Sequence, residues 1–130
     1  MLKPAKDSLD LGVVVSDIEA SLAFYRDTLG LSYVGSNAVG FGTLHRLRYG
    51  TSDFKLIDPA NPVPAGPKGL MASLGLRYVT FVVTNLEEVC QKLAAMGVFF
   101  EREMVEIRPG VTIAMVHDPD GNVVEFVQIA

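Results

Sequence analysis

The sequence predicts an α+β fold: two tandem βαβββ modules whose curved mixed sheets surround a cup-shaped site. Three observations carry that expectation. Val15-Ser16-Asp17-Ile18-Glu19 and Val83-Thr84-Asn85-Leu86-Glu87 are two versions of one signal, each closing an alternating apolar run. Each opens a stretch of helical periodicity that stops at a glycine, Gly30 and Gly97. Each helical stretch is followed by three short alternating runs. A repeat of this length is too long for a solenoid unit and too short to stand as an independent domain. The two halves are therefore expected to share one core within one domain spanning 1–130, with modules at about 9–58 and 76–129.

The first module opens with Leu9 to Ser16, where Leu11, Val13 and Val15 lie on one face of a strand. Ser16 and Glu19 have the spacing of a capping box. Ile18, Leu22, Tyr25 and Leu29 then recur at helical spacing up to Gly30. Strands are expected at about 31–35, 42–49 and 53–58. Residues 59–75 hold four of the seven prolines and three glycines, so this stretch is a linker that either carries the chain between halves or folds over the pocket mouth. In the second module, 77–83 is a strand, and Thr84 with Glu87 repeats the capping box. Leu86, Val89, Leu93 and Met96 form the apolar stripe of a helix ended by Gly97. Strands at 98–105, 111–117 and 122–129 complete the plan, with Asp118-Pro119-Asp120-Gly121 as a type I turn.

Composition excludes several classes of function. The net charge is −4, from 11 basic and 15 acidic residues, with no basic run, so no nucleic-acid partner is expected. No apolar stretch reaches the roughly 20 residues that span a bilayer. The N-terminal residues Met1 to Lys6 lack the apolar segment of a secretory signal, and Cys90 is the lone cysteine. A cytoplasmic protein without an intrachain disulfide is the expectation.

The repeated βαβββ plan, the run Val15 to Gly30 and the run Asp118 to Phe126 together resemble the vicinal oxygen chelate superfamily of glyoxalases, bleomycin-resistance proteins and extradiol dioxygenases. The resemblance covers about Leu9 to Ile129. It implies four positions facing the cup, carried here by Asp10, Lys55, Tyr78 and Glu125, with Leu56 in place of Lys55 if the register slips by one. Metal-using relatives place His, Gln or Glu there. Only Glu125 conforms. Lys55 is an ammonium that repels a cation, and protonated Tyr78 is a poor ligand. No cofactor is favoured; a divalent metal, if bound, would draw on Glu125, Asp10 and His45.

Glu125 shares a strand face with Val123 and Val127 and is the candidate proton-transferring base. Lys55 and Tyr78 are its candidate catalytic partners, Lys55 either as an ion pair or as a solvated edge residue. Asp10, His45 and Arg77 are candidate substrate contacts; each also has an ordinary reading as a turn, surface or solvated side chain. Two classes of function follow. One is a lyase or isomerase of the glyoxalase type with Glu125 as base. The other is a non-catalytic resistance protein that sequesters a small organic compound. A divalent-metal-dependent glyoxalase or dioxygenase is the third alternative. The partners expected are a small organic ligand and, because short curved sheets leave apolar edges, a second copy of the chain in a homodimer.

Overall fold

The computed structural model describes residues 1–130. The chain forms two compact units, Met1–Ala65 and Gly66–Ala130, and their boundary lies within the proline-rich linker. The first unit contains β1 (Leu11–Val14), α1 (Ile18–Leu22) continued by a π-helical segment (Ala23–Thr28), then β2 (Ser32–Val39), β3 (Gly42–Tyr49) and β4 (Ser52–Pro59). The second contains β5 (Tyr78–Val82), α2 (Leu86–Ala95), β6 (Phe100–Arg108), β7 (Val111–His117) and β8 (Val123–Ile129). The sheets have the orders β1-β4-β3-β2 and β5-β8-β7-β6. In each, the first strand runs parallel to the last and the other pairs are antiparallel. The α+β expectation of two βαβββ modules with mixed sheets therefore holds. No helix is long and apolar enough to cross a membrane.

Both helix starts differ from the predicted capping boxes. In α1 the cap is Asp17, whose extended backbone places its carboxylate to accept from the Ala20 amide at 3.2 Å. Aspartate caps as well as serine does, and Asp17 is the residue three before an orphan amide. In α2, Asn85 occupies the cap without a side-chain bond to the helix backbone. The Leu86 amide is satisfied instead by Gln128 Oε1 of β8, at 2.8 Å. A tertiary partner thus replaces the local one, which spacing alone does not reveal.

The helix ends follow their glycines. Val98 donates to the Leu93 carbonyl at 3.1 Å and Gly97 to that of Ala94 at 3.0 Å, a Schellman closure with Gly97 at positive φ. The first helix widens before its stop: Leu29 donates to the Phe24 carbonyl, five residues back. Within this widened segment the adjacent Phe24 and Tyr25 are both buried, edge to face with 4.9 Å between centroids. Tyr25 also packs on Phe54 of β4 at 4.6 Å.

That contact identifies the helix-covered face of the first sheet. Strand alternation adds Leu11, Val13, Leu47 and Leu56 to it. The corresponding core of the second unit holds Phe81, Ala114, Val116, Val124 and Phe126, with Leu86 and Leu93 buried on α2. Each sheet thereby presents its other face free of helix. Replacing Asp17 by Ala removes the cap of α1 and is expected to cost about 1 kcal/mol, read as a shift in the urea unfolding midpoint at unchanged slope.

Candidate functional site

The helix-free face of the second sheet is set by alternation along β8. Val123, Glu125 and Val127 point to it, and the ladder places Thr80 on one side of Glu125 and Met115 on the other. Thr80 Oγ1 donates to Glu125 Oε1 at 2.7 Å. This bond orients the carboxylate and leaves Oε2 as an acceptor. Around the pair lies an apolar floor of Ile113, Met115 and Val123, all buried, with Val105, Val111, Val127 and Leu70 packed on it.

Leu70 belongs to the linker, so the linker's second part folds onto this face as a strap. Several bonds hold it there. Glu101 Oε1 accepts from the Leu70 amide at 2.7 Å, and Glu101 Oε2 lies 3.0 Å from His117 Nε2. Arg77 donates to the carbonyls of Gly69 at 2.6 Å and Leu70 at 3.2 Å, and to Ser73 Oγ at 2.8 Å. The Lys68 stem fills the space where a side chain at residue 121 would stand. Gly121, at positive φ in its turn, is the residue type that admits both. The Leu70 amide, and then His117, hold the Glu101 carboxyl below its ordinary value of 4.5.

The candidate residues fall into different environments. Tyr78 lies on the face of Glu125, opposite Val123 in the ladder, and is largely exposed. Lys55 lies on the helix-free face of the first sheet, opposite Gly12 and Arg46. Leu56 is fully buried on the helix side, so the slipped register is ruled out. Asp10 is committed within the first unit: its Oδ1 accepts from Lys6 Nζ at 2.6 Å and from the Asp53 amide at 2.8 Å. Those bonds, Lys6 first, lower its pKa. His45 does not share the face of Lys55. It pairs with Leu56 on the helix side, 2.8 Å from the Tyr33 hydroxyl through Nδ1, and Arg26 of the π-helical segment lies over the Tyr33 ring. Arg77 is engaged by the strap rather than open to a substrate. Cys90 is a half-buried thiol whose pKa is raised by burial and then by Glu103.

Sequence reasoning passed over Thr80 and Glu101. Thr80 was visible as the residue two after Tyr78 on a strand. Glu101 had no such signal, because it sits in an irregularity of the β6–β7 ladder between Phe100 and Arg102. The superfamily that the sequence resembles includes members that use divalent metals. Here no three His, Cys, Asp or Glu side chains gather as a metal would require. His45 has turned to the helix, and Asp10 is held by Lys6. The residues present do not make a divalent-metal donor set.

Replacing Glu101 by Ala is expected to loosen the strap while α2 stays intact, raising hydrogen exchange at the Leu70 amide by about tenfold or more. The Glu101 pKa is lowered in the folded chain, so its contribution is complete above the ordinary value of 4.5 and is lost as pH falls through the lowered one. Exchange at Leu70, corrected for its intrinsic pH dependence, should rise over that acidic window in the native chain and stay flat in Glu101→Ala.

Known structures share the fold. A glyoxalase/dioxygenase from Nostoc punctiforme superposes with a TM-score of 0.82 at 16% identity, covering 100% of this chain and 97% of that one. A lactoylglutathione lyase from Agrobacterium tumefaciens matches with a TM-score of 0.69 at 23% identity, over 97% of this chain and 96% of that one. An antibiotic-binding protein from Streptomyces sp. CB03234 matches with a TM-score of 0.71 at 23% identity, over 98% of this chain and 100% of that one. No curated protein matches the chain. The model of the Glyoxalase/Bleomycin resistance protein/Dioxygenase superfamily matches residues 9–126, and the chain belongs to that superfamily.

Proposed function

We propose that the protein binds a small organic molecule over the helix-free face of its second sheet, with Glu125 as the polar group that engages it. The supporting observation is the Thr80–Glu125 pair at 2.7 Å beside a buried apolar floor. Small-molecule sites combine an apolar lining with a few placed polar groups. With Oε1 held by Thr80, Oε2 is free to accept a ligand hydrogen. If that hydrogen lies on carbon beside a carbonyl, Glu125 takes the proton and can return it to another position, the chemistry of a lyase or isomerase. Tyr78, on the same face, can donate its hydroxyl to the carbonyl oxygen.

A second reading, non-catalytic sequestration, is favoured by the commitment of Arg77 to the strap. Both readings need Glu125, and they differ in proton transfer. A thermal-shift panel of small carbonyl compounds and aromatic antibiotics is expected to yield a ligand that stabilises the native chain by about 2.7 kcal/mol at a hundredfold excess over Kd. That stabilisation should vanish in Glu125→Gln. Deuterium uptake from solvent next to the ligand carbonyl marks the enzyme; binding without uptake marks the binder. A ligand set indifferent to Glu125→Gln would sink both.

The same reading places the protein in the cytoplasm, in keeping with its lone cysteine. It also takes the protein as a homodimer. The outer strands β1 and β5 each leave one edge without a ladder partner. Light scattering at micromolar concentration should report twice the chain mass of 14.0 kDa. A monomer there rejects the dimer.

A further inference from the structure

The helix-free face of the first sheet has a composition unlike that of the second. Ladder pairing arranges it in three rows. One row is Ser32, Arg48 and Asp53 across β2, β3 and β4. The next is Gly35, Arg46, Lys55 and Gly12. The third is Asn37, Leu44, Ile57 and Val14.

The middle row sets two cations directly opposite one another, an arrangement that destabilises a sheet unless an anion lies between. The chain supplies little of that anion. Asp53 Oδ1 is held by Arg48, at 3.1 Å from Nε and 3.0 Å from Nη2. Its Oδ2 lies 3.8 Å from Arg46 Nε, beyond hydrogen-bond reach. Arg46 Nε is shielded from solvent and has no hydrogen-bond acceptor. Asp10 is held by Lys6 and the Asp53 amide. Arg46 thus faces a carboxylate already bonded to Arg48, and the carboxylate that feels the charge of Lys55, Asp10, is already bonded to Lys6.

The row has glycine at both ends. A side chain at Gly35 would meet nothing within 4 Å, and one at Gly12 would meet only Ile57 Cδ1 at 3.9 Å. Two bare positions therefore flank the cations, and the apolar row of Leu44, Ile57 and Val14 lies alongside. We propose that this face is a binding site for a small organic carboxylate: Arg46 and Lys55 hold its anionic head, and Leu44, Ile57 and Val14 bear its apolar body. The site rests on the first unit alone and stands whichever way the Glu125 reading falls.

The test is an NMR titration with phenylacetate, its neutral analogue phenylacetamide, and inorganic phosphate. Phenylacetate is expected to shift the β3 and β4 amides at millimolar concentration and to bind more tightly than either control. Lys55→Gln and Arg46→Gln should each weaken it about tenfold, the scale of one charge-assisted hydrogen bond. Gly12→Val tests the space itself. Valine suits a strand and its Cβ would meet only Ile57 Cδ1, at an ordinary contact distance of 3.9 Å, so the fold should persist, checked by an unchanged amide spectrum away from the site, while phenylacetate binding is lost. Absence of phenylacetate shifts in the native chain would overturn the proposal. So would equal binding of phenylacetamide or phosphate, or binding that survives Gly12→Val and both charge-removing variants.

Discussion

The parallel pairing of the first strand of each unit with its last is the constraint on which the functional faces depend. It brings Gly12 beside Lys55 and Thr80 beside Glu125. A slip of one residue in either ladder would exchange the two faces of a strand. Lys55 would then turn toward the helix and Leu56 toward solvent. What prevents the slip is apolar burial. Leu56 and Leu47 are fully buried, and Phe54 meets Tyr25. In the second unit Val124 and Phe126 do the same beside Glu125. Truncating such a side chain typically costs about 2–5 kcal/mol, more than one polar contact on the open face can return. Packing on one face therefore fixes the chemistry on the other.

The strap adds a second level of control in the later unit. Proline and glycine deny it a ladder, so its backbone groups need other partners. Arg77 and Glu101 provide them, taking two carbonyls and one amide. Leu70 is thereby pressed onto Ile113, Met115 and Val123. The anchors are few and sit near the surface. A segment held this way opens at a lower free energy than the core strands beneath it. Any ligand that reaches the floor beside Glu125 must reckon with Leu70, either by displacing it or by using it as a wall.

The fold was legible because periodicity and glycine stops are local and were present twice. The strands lie within a few residues of their expected bounds, and Gly97 ends α2 as read. The helix starts were misread because cap choice depends on backbone torsion and on distant partners. Asp17 took the role assigned to Ser16, and in α2 the Leu86 amide found its partner in Gln128 of β8. Glu125 and Lys55 fell on helix-free faces because alternation is a property of the strand itself. The side that His45 faces stayed open for a related reason. Alternation grouped it with Leu47 and Tyr49, but only the Tyr25–Phe54 contact tells which side that group faces. The bonds of Arg77 to Gly69, Leu70 and Ser73 could not be read in advance, because the path of a proline-rich linker leaves no periodic trace.

The duplication also explains how one architecture can hold two kinds of chemistry. The row that reads Gly35, Arg46, Lys55, Gly12 in the first sheet reads Arg102, Met115, Glu125, Thr80 in the second. The two rows occupy corresponding ladder positions and differ at every residue. In the first, bare glycines flank two cations. In the second, a hydroxyl positions one carboxylate against a thioether. Because the core that fixes each register lies on the helix side, substitutions in these rows leave the fold largely untouched. The open face of each copy is thus free to diverge in composition, two cations between glycines on one and a hydroxyl beside a carboxylate on the other, while the buried face keeps both copies alike.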